Sequence, residues 1–262
     1  MKYGFIGCGN MGGAIARALS NSTKEILLAD LAEQKAKDLA NELGISYGTN
    51  EEAVNYCDVL FLAIKPQMAE SVLGSLKDQI MAKRPILISM LAGVQSIKIQ
   101  VLAGDPSIPV IRILPNTPVA VGKGLIIYHA SEQVPEDALQ QILADLAPAG
   151  TLDELDEKLI DAGGTLSGCG PAYMYMFLNA LADGAVACGL PRDKALLYAK
   201  LTMAGSAELA LKSGKHPEQL KDEVCSPGGT TIQGVKALEE GGFRDAAISA
   251  ILAAYEKTRK IG

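Results

Sequence analysis

One glycine-rich turn near the start limits what this chain can fold into more than any other feature. Gly7-Cys8-Gly9-Asn10-Met11-Gly12 stands where a strand-like run, Lys2–Gly7, gives way to a helix-like stretch, Met11–Ser20. As a bare pattern G-x-G-x-x-G is common, but between a strand and a helix it has a mechanical meaning. The first glycine allows a tight turn, the second lets backbone approach a pyrophosphate, and the third lets the helix pack on the strand. Free N–H groups at the helix start then stabilise phosphate charge. Ile6 through Gly12 are therefore expected to cradle a dinucleotide rather than to form only a tight turn.

The segments that follow fit this reading. Glu25–Asp30 reads as a strand and Leu31–Leu43 as a helix. A short segment lies near Ile45, and Glu51–Tyr56 reads as a short helix. Val59–Ile64 is a run of six apolar residues, the pattern of a strand buried on both faces. Pro66 opens another helix, Ile86–Met90 and Pro109–Leu114 read as strands, and Gln95–Leu102 as a helix between them. Gly124–His129 and Gly150–Asp153 read as two last strands around the helix Pro135–Leu146. Strand–helix alternation with short links predicts a parallel sheet covered by helices on both sides.

Beyond Asp153 strand patterning ends. Glu154–Ala162, Gly170–Cys188, Arg192–Ser213, Pro217–Val224, Thr230–Glu240 and Gly242–Lys260 all have helical composition. The expected fold is α/β: a Rossmann-type dinucleotide-binding domain over residues 1–153, then an all-α domain over 154–262. Tyr173–Cys188 carries one charged residue, Asp183. A helix apolar nearly all round must be buried on all sides, so the helical domain is expected to form an obligate dimer, with higher oligomers left open.

Composition excludes other classes. The net charge is −6 and no run of Lys or Arg forms a stripe, which argues against nucleic-acid and membrane-surface partners. Five scattered cysteines without a C-x-x-C pair suggest neither a zinc site nor a disulfide framework, and fit a cytoplasmic protein. Glycines at 4, 7, 9, 12 and 13 interrupt what could otherwise imitate a secretory signal. No stretch approaches the roughly 18 consecutive apolar residues of a spanning helix. His129 and His216 lie outside any motif and read as structural, and no metal site is expected.

Several polar residues fall where ligands bind in such folds. Asp30 ends the second strand, 18 residues beyond Gly12, close to the roughly 20 expected of an acid that bonds the cofactor ribose. Read alone it favours NADH, because a carboxylate repels a 2′-phosphate; Lys35 or Lys37 could offset this. Ala63-Ile64-Lys65-Pro66 closes a buried strand, with Lys65 either on the cofactor or merely exposed at the strand end. Arg112 and Asn116 lie at another strand end in Arg112-Ile113-Leu114-Pro115-Asn116-Thr117-Pro118. Ser226-Pro227-Gly228-Gly229-Thr230-Thr231 is a turn flowing into a helix. Its glycines and helix start form either an anion site or an ordinary cap, since Ser and Thr are preferred caps.

Taken in order with Ser167-Gly168-Cys169-Gly170-Pro171-Ala172-Tyr173, these segments resemble pyrroline-5-carboxylate reductases over nearly the whole chain. The Ser-Pro-Gly-Gly-Thr-Thr loop is the most discriminating of them. The family often has Ser where Cys169 stands, a small change. The resemblance implies NADPH (NADH possible) as hydride donor and 1-pyrroline-5-carboxylate as substrate, reduced to L-proline. It adds Asn50, Ala63–Pro66 and Met90-Leu91-Ala92 to the cofactor lining. It places Ser226, Gly228, Gly229, Thr230 and Thr231 on the substrate, with Thr231 as the catalytic residue bonding the ring nitrogen and the Gly229 and Thr230 N–H groups on the carboxylate. Glu157 falls where an acidic residue approaches the substrate amine, or is a solvated helix-face glutamate. Ser167–Pro171 reads as a tight loop before a helix.

Two rivals share the plan. A 3-hydroxyacid dehydrogenase would want a Lys or His acid–base in the helical half, and Lys194, Lys200 and Lys212 lie in no motif. A nicotinamide-binding sensor would bind cofactor without turnover.

Overall fold

The computed structural model describes residues 1–260; residues 261 and 262, the end of the expected helical domain, lie outside it. The first half is one eight-stranded sheet in the order β3-β2-β1-β4-β5-β6-β7-β8. Its strands are β1 (Tyr3–Ile6), β2 (Ile26–Ala29), β3 (Ser46–Tyr47), β4 (Val59–Leu62), β5 (Ile86–Ser89), β6 (Val110–Pro115), β7 (Gly124–Ala130) and β8 (Gly150–Glu154). Between them run α1 (Asn10–Leu19), α2 (Glu33–Leu43), α3 (Asn50–Tyr56), α4 (Ala69–Lys83), α5 (Ser96–Ala103) and α6 (Glu136–Leu146).

The sheet is central because β1, β4 and β5 are buried along their whole length, as continuous apolar runs demand. Phe5 and Phe61, on neighbouring strands, stack at 4.2 Å between ring centroids and lead an apolar layer with Ile15, Leu19 and Leu39. The opposite layer holds Leu60, Leu62, Leu73, Leu76 and Ile99. Removing one such aromatic ring costs about 3–5 kcal/mol.

The sheet is not wholly parallel, contrary to expectation. β6 and β7 pair antiparallel, with Ile113 opposite Tyr128. Only residues 116–123 join them, in part a 3-10 turn at Thr117–Val121, and a parallel crossover needs a dozen or more. Pro66 likewise opens a 3-10 turn, Pro66–Met68, which leads into α4.

The helical half contains α7 (Glu157–Ala187), α8 (Arg192–Ser213), α9 (Pro217–Val224), α10 (Thr230–Glu240) and α11 (Phe243–Thr258). The loop expected at Ser167–Pro171 is a correction: these residues lie inside α7, with Pro171 internal to the helix. The close packing of α7 on the sheet lies nearer its start, at Gly163 and Gly164, whereas a Cβ on Gly168 or Gly170 would meet nothing within 4 Å. A Cβ on Gly163 would lie 2.9 Å from Ile127 Cδ1, and one on Gly164 would collide with the Leu114 side chain. Glycine thus lets α7 lie against β6 and β7.

The described chain separates into two compact units, residues 1–169 with 254–260, and residues 170–253. The first turns of α7 thus belong to the sheet unit, bound there by ion pairs to Arg112, although the sequence reading begins the second domain at 154. Within the second unit the buried cluster is small, Ala182, Ala195 and Ala199. Large apolar side chains there stand in the open, among them Tyr175, Met176, Leu201, Leu211 and Ile248.

Candidate functional site

The chain reverses its direction of travel across the sheet between β1 and β4. A crevice opens at such a switch point, at the carboxyl ends of the strands. The glycine turn follows β1 and Ala63–Pro66 follows β4, so both lie at its mouth. The two are tightly joined: Ala63 N–H donates to the Ile6 carbonyl at 2.9 Å. Gly7 has φ +103°, and a Cβ there would collide with the Ala63 carbonyl. Gly12 is fixed similarly, since a Cβ would collide with the Gly7 carbonyl and lie 2.8 Å from Ala63 Cβ.

Gly9 differs from both. It is the N-cap of α1 and supplies no side-chain cap, and a Cβ built on it meets no protein atom within 4 Å. Its missing side chain therefore serves the space above the loop rather than the fold. The first-turn N–H groups of α1 are left without intrahelical acceptors and face a cradle that any side chain at position 9 would fill. A dinucleotide pyrophosphate fits that combination.

Asp30 sits beside the loop and is already engaged. Its Oδ2 accepts the Cys8 N–H at 2.6 Å and its Oδ1 accepts the Ala32 N–H at 2.9 Å. The carboxylate braces the glycine turn from the end of β2. Burial, with the charge of Asp30 second, pushes the Cys8 thiol up to about 12, so it stays protonated and donates to the Ala29 carbonyl at 3.5 Å. Asn50 is the first residue of α3, whose start is fixed by a Thr49–Glu52 capping box. Lys65 is exposed beyond β4.

Met90, Leu91 and Ala92 follow β5. Met90 N–H bonds the Leu62 carbonyl at 3.2 Å, and Leu91 N–H bonds Ser89 Oγ at 3.3 Å. Past this segment a cavity of about 640 Å³ opens among Gln67, Gly93, Lys98, Glu157, Asp161 and Tyr255. Glu157 Oε1 accepts from Ser96 N–H and Ser96 Oγ, both at 2.7 Å, and from Arg112 Nη1 at 3.3 Å. Partial burial raises the Glu157 carboxyl, but the Ser96 bonds, Arg112 and His129 outweigh it and the net shift is downward. Sequence reading missed the partner Asp161, which takes Arg112 Nη2 at 2.8 Å and Gly93 N–H at 3.2 Å. Its signal was its place one helical turn after Glu157. Asn116 spans β7 and α7: its Oδ1 accepts the Leu125 N–H at 2.9 Å and its Nδ2 donates to the Ser167 carbonyl at 3.1 Å.

The second glycine turn lies in the helical unit. Gly228 has φ +68°, and Gly229 is the N-cap of α10 without a side-chain cap. One expectation is corrected here. The Gly229 N–H closes the turn on the Ser226 carbonyl at 3.0 Å, so the donors left open are those of the helix's first turn, from Thr230 and Thr231 onward. A Cβ on Gly229 would meet Ser226 Oγ, the end of an exposed side chain that can rotate away. Ser226, Thr230 and Thr231 are exposed. His216 caps α9, its Nδ1 accepting the Glu218 N–H at 3.2 Å.

A Rossmann sheet with a glycine-lined phosphate cradle, followed by a helical half, defines a dinucleotide-dependent oxidoreductase. Residues 2–93 match the family model described as NADP oxidoreductase coenzyme F420-dependent, and residues 157–261 match pyrroline-5-carboxylate reductase dimerisation. The chain is 42% identical to a pyrroline-5-carboxylate reductase of Synechocystis, over 100% of this chain and 98% of that one. It is 38% identical to human pyrroline-5-carboxylate reductase 2, over 100% and 84%. The Plasmodium falciparum pyrroline carboxylate reductase structure with NADP bound superposes with a TM-score of 0.90 at 32% identity, covering 100% of this chain and 98% of that one. The chain belongs to the pyrroline-5-carboxylate reductase family. Its helical half, exposed apolar side chains included, is that family's dimerisation region. No helix among the described residues is long and apolar enough to cross a membrane.

Proposed function

We propose that this protein reduces 1-pyrroline-5-carboxylate to L-proline with NADPH, or with NADH, in the cytoplasm. Family membership over the full length supports the reaction, and the glycine-walled crevice at the β1/β4 switch supports the cofactor. When bound, the nicotinamide supplies a hydride from its C4. Ile6–Gly12 hold the pyrophosphate; Asp30, Asn50 and Ala63–Pro66 bracket the adenosine end and ribose; Met90–Ala92 back the nicotinamide. Because both Asp30 oxygens already accept backbone N–H groups, its charge is partly neutralised and is a weaker obstacle to a 2′-phosphate.

The open first-turn N–H groups of α10, with Ser226 and Gly228, grip the substrate carboxylate, and Thr231 Oγ1 bonds the ring nitrogen. Glu157 is the acidic residue assigned to the amine side. The imine nitrogen takes its proton from solvent, so the residues need only hold the electrophilic carbon in line for the hydride. Residues 154–262 act as the dimerisation and substrate domain and 1–153 as the cofactor domain, in a dimer or higher oligomer.

The test follows NADPH and NADH absorbance with 1-pyrroline-5-carboxylate, and NAD(P)+ reduction with a 3-hydroxyacid as comparison. Imine-dependent oxidation of NADPH yielding proline is expected. Turnover of the hydroxyacid alone, or cofactor binding without turnover, overturns the proposal.

A further inference from the structure

We propose that Arg112, Asp161 and Glu157 are positioning residues that set the nicotinamide-backing segment Met90–Ala92 for hydride transfer. The inference rests on the reading above, in which that segment meets the cofactor. The segment ends in a run with few anchors of its own: Val94 N–H reaches the Leu91 carbonyl only at 3.4 Å. Two carboxylates from one face of α7 close this gap. Asp161 takes the Gly93 N–H at 3.2 Å, directly after Ala92, and Glu157 takes Ser96 N–H and Oγ at 2.7 Å. Both carboxylates are then tied to one guanidinium, that of Arg112, which is 1% exposed and rises from the centre of β6.

The chemistry suits a fixed support rather than a proton relay. A guanidinium does not deprotonate in proteins and its planar fork has fixed directions. Set among buried groups, it holds two carboxylates in one geometry, and they hold the two ends of the loop. No lysine could do the same, since an ammonium lacks the fork. Arg112 Nε has no partner among the described residues, so the side chain's hydrogen bonding is concentrated in the two nitrogens that reach α7.

The test compares Asp161→Ala, Asp161→Asn and Arg112→Lys with the parent dimer, at a temperature where circular dichroism shows all fully folded. Lys158→Ala serves as the control on the same helix. A misplaced loop raises KM for NADPH about tenfold and lowers kcat/KM on the order of 10²-fold. In Asp161→Ala, whose side chain is not assigned to the substrate, KM for the imine stays within twofold, and Asp161→Asn, which still offers Gly93 an oxygen acceptor, recovers much of the loss. The inference is overturned if the folded variants keep both constants near the parent's, or if both KM values rise together in Asp161→Ala. Failure of the parent itself to turn over the imine would overturn the proposed function instead, and the two failures are distinguishable.

Discussion

Asn116 donates its side-chain amide to the carbonyl of Ser167 at 3.1 Å, and Ser167 is the residue four before Pro171. In an uninterrupted helix that carbonyl would accept the N–H of position 171, which proline lacks. Asn116 therefore replaces a missing rung of α7 from a loop between β6 and β7. The relationship explains how a proline sits inside a helix of 31 residues.

If so, Asn116→Ala leaves a largely buried carbonyl without a donor and destabilises the protein by about 1–3 kcal/mol. Pro171→Ala returns the backbone N–H, so the double variant should recover part of the loss. Thermal melts of the two single variants and the double variant measure the coupling. Strictly additive effects would contradict the assignment.

Gly9→Ala separates binding from folding. The added methyl meets no protein atom, so the melting temperature should stay close to the parent's, within about 0.5 kcal/mol of stability. The same methyl enters the pyrophosphate cradle, and the dissociation constant for NADPH, read by titration calorimetry, should rise about tenfold or more. Gly7→Ala, with φ +103° and a blocked Cβ, should instead lower stability as well. Unchanged cofactor affinity in Gly9→Ala would place the pyrophosphate elsewhere.

Glu157 gives a pH dependence with a definite sign. Its folded-state carboxyl is shifted downward overall, because the bonds from Ser96 and the charge of Arg112 outweigh the opposing burial. A depressed folded value contributes stability that is present above the ordinary glutamate range, about 4.3, and is lost as pH falls through the folded value. Melting curves of parent and Glu157→Gln should differ most near neutrality and converge in acid. A difference that stays constant from pH 7 to the acid limit of folding would contradict the assignment.

The order of strands and helices was legible because buried parallel strands and amphipathic helices leave different periods in the sequence. The glycine turn was legible because backbone geometry demands glycine at positions 7 and 12. The Ser167–Pro171 run misled for the opposite reason. Its glycines and proline suggest a loop by local propensity, and the donor that Pro171 lacks comes from Asn116, a residue distant in sequence. The antiparallel β6–β7 pair was hidden similarly, since each strand by itself reads as any buried strand does. For Arg112 a carboxylate partner could be imagined but not named, because Glu157 and Asp161 lie 45 and 49 positions away.

The most direct test of the proposed reaction follows the hydride itself. The protein is supplied with 1-pyrroline-5-carboxylate and, in separate reactions, with each of the two NADPH epimers deuterated at the nicotinamide C4. Product proline is analysed by NMR. One epimer should deliver its deuterium to C5 of L-proline and the other should not. Proline without deuterium from either epimer, or no proline at all, would contradict the account.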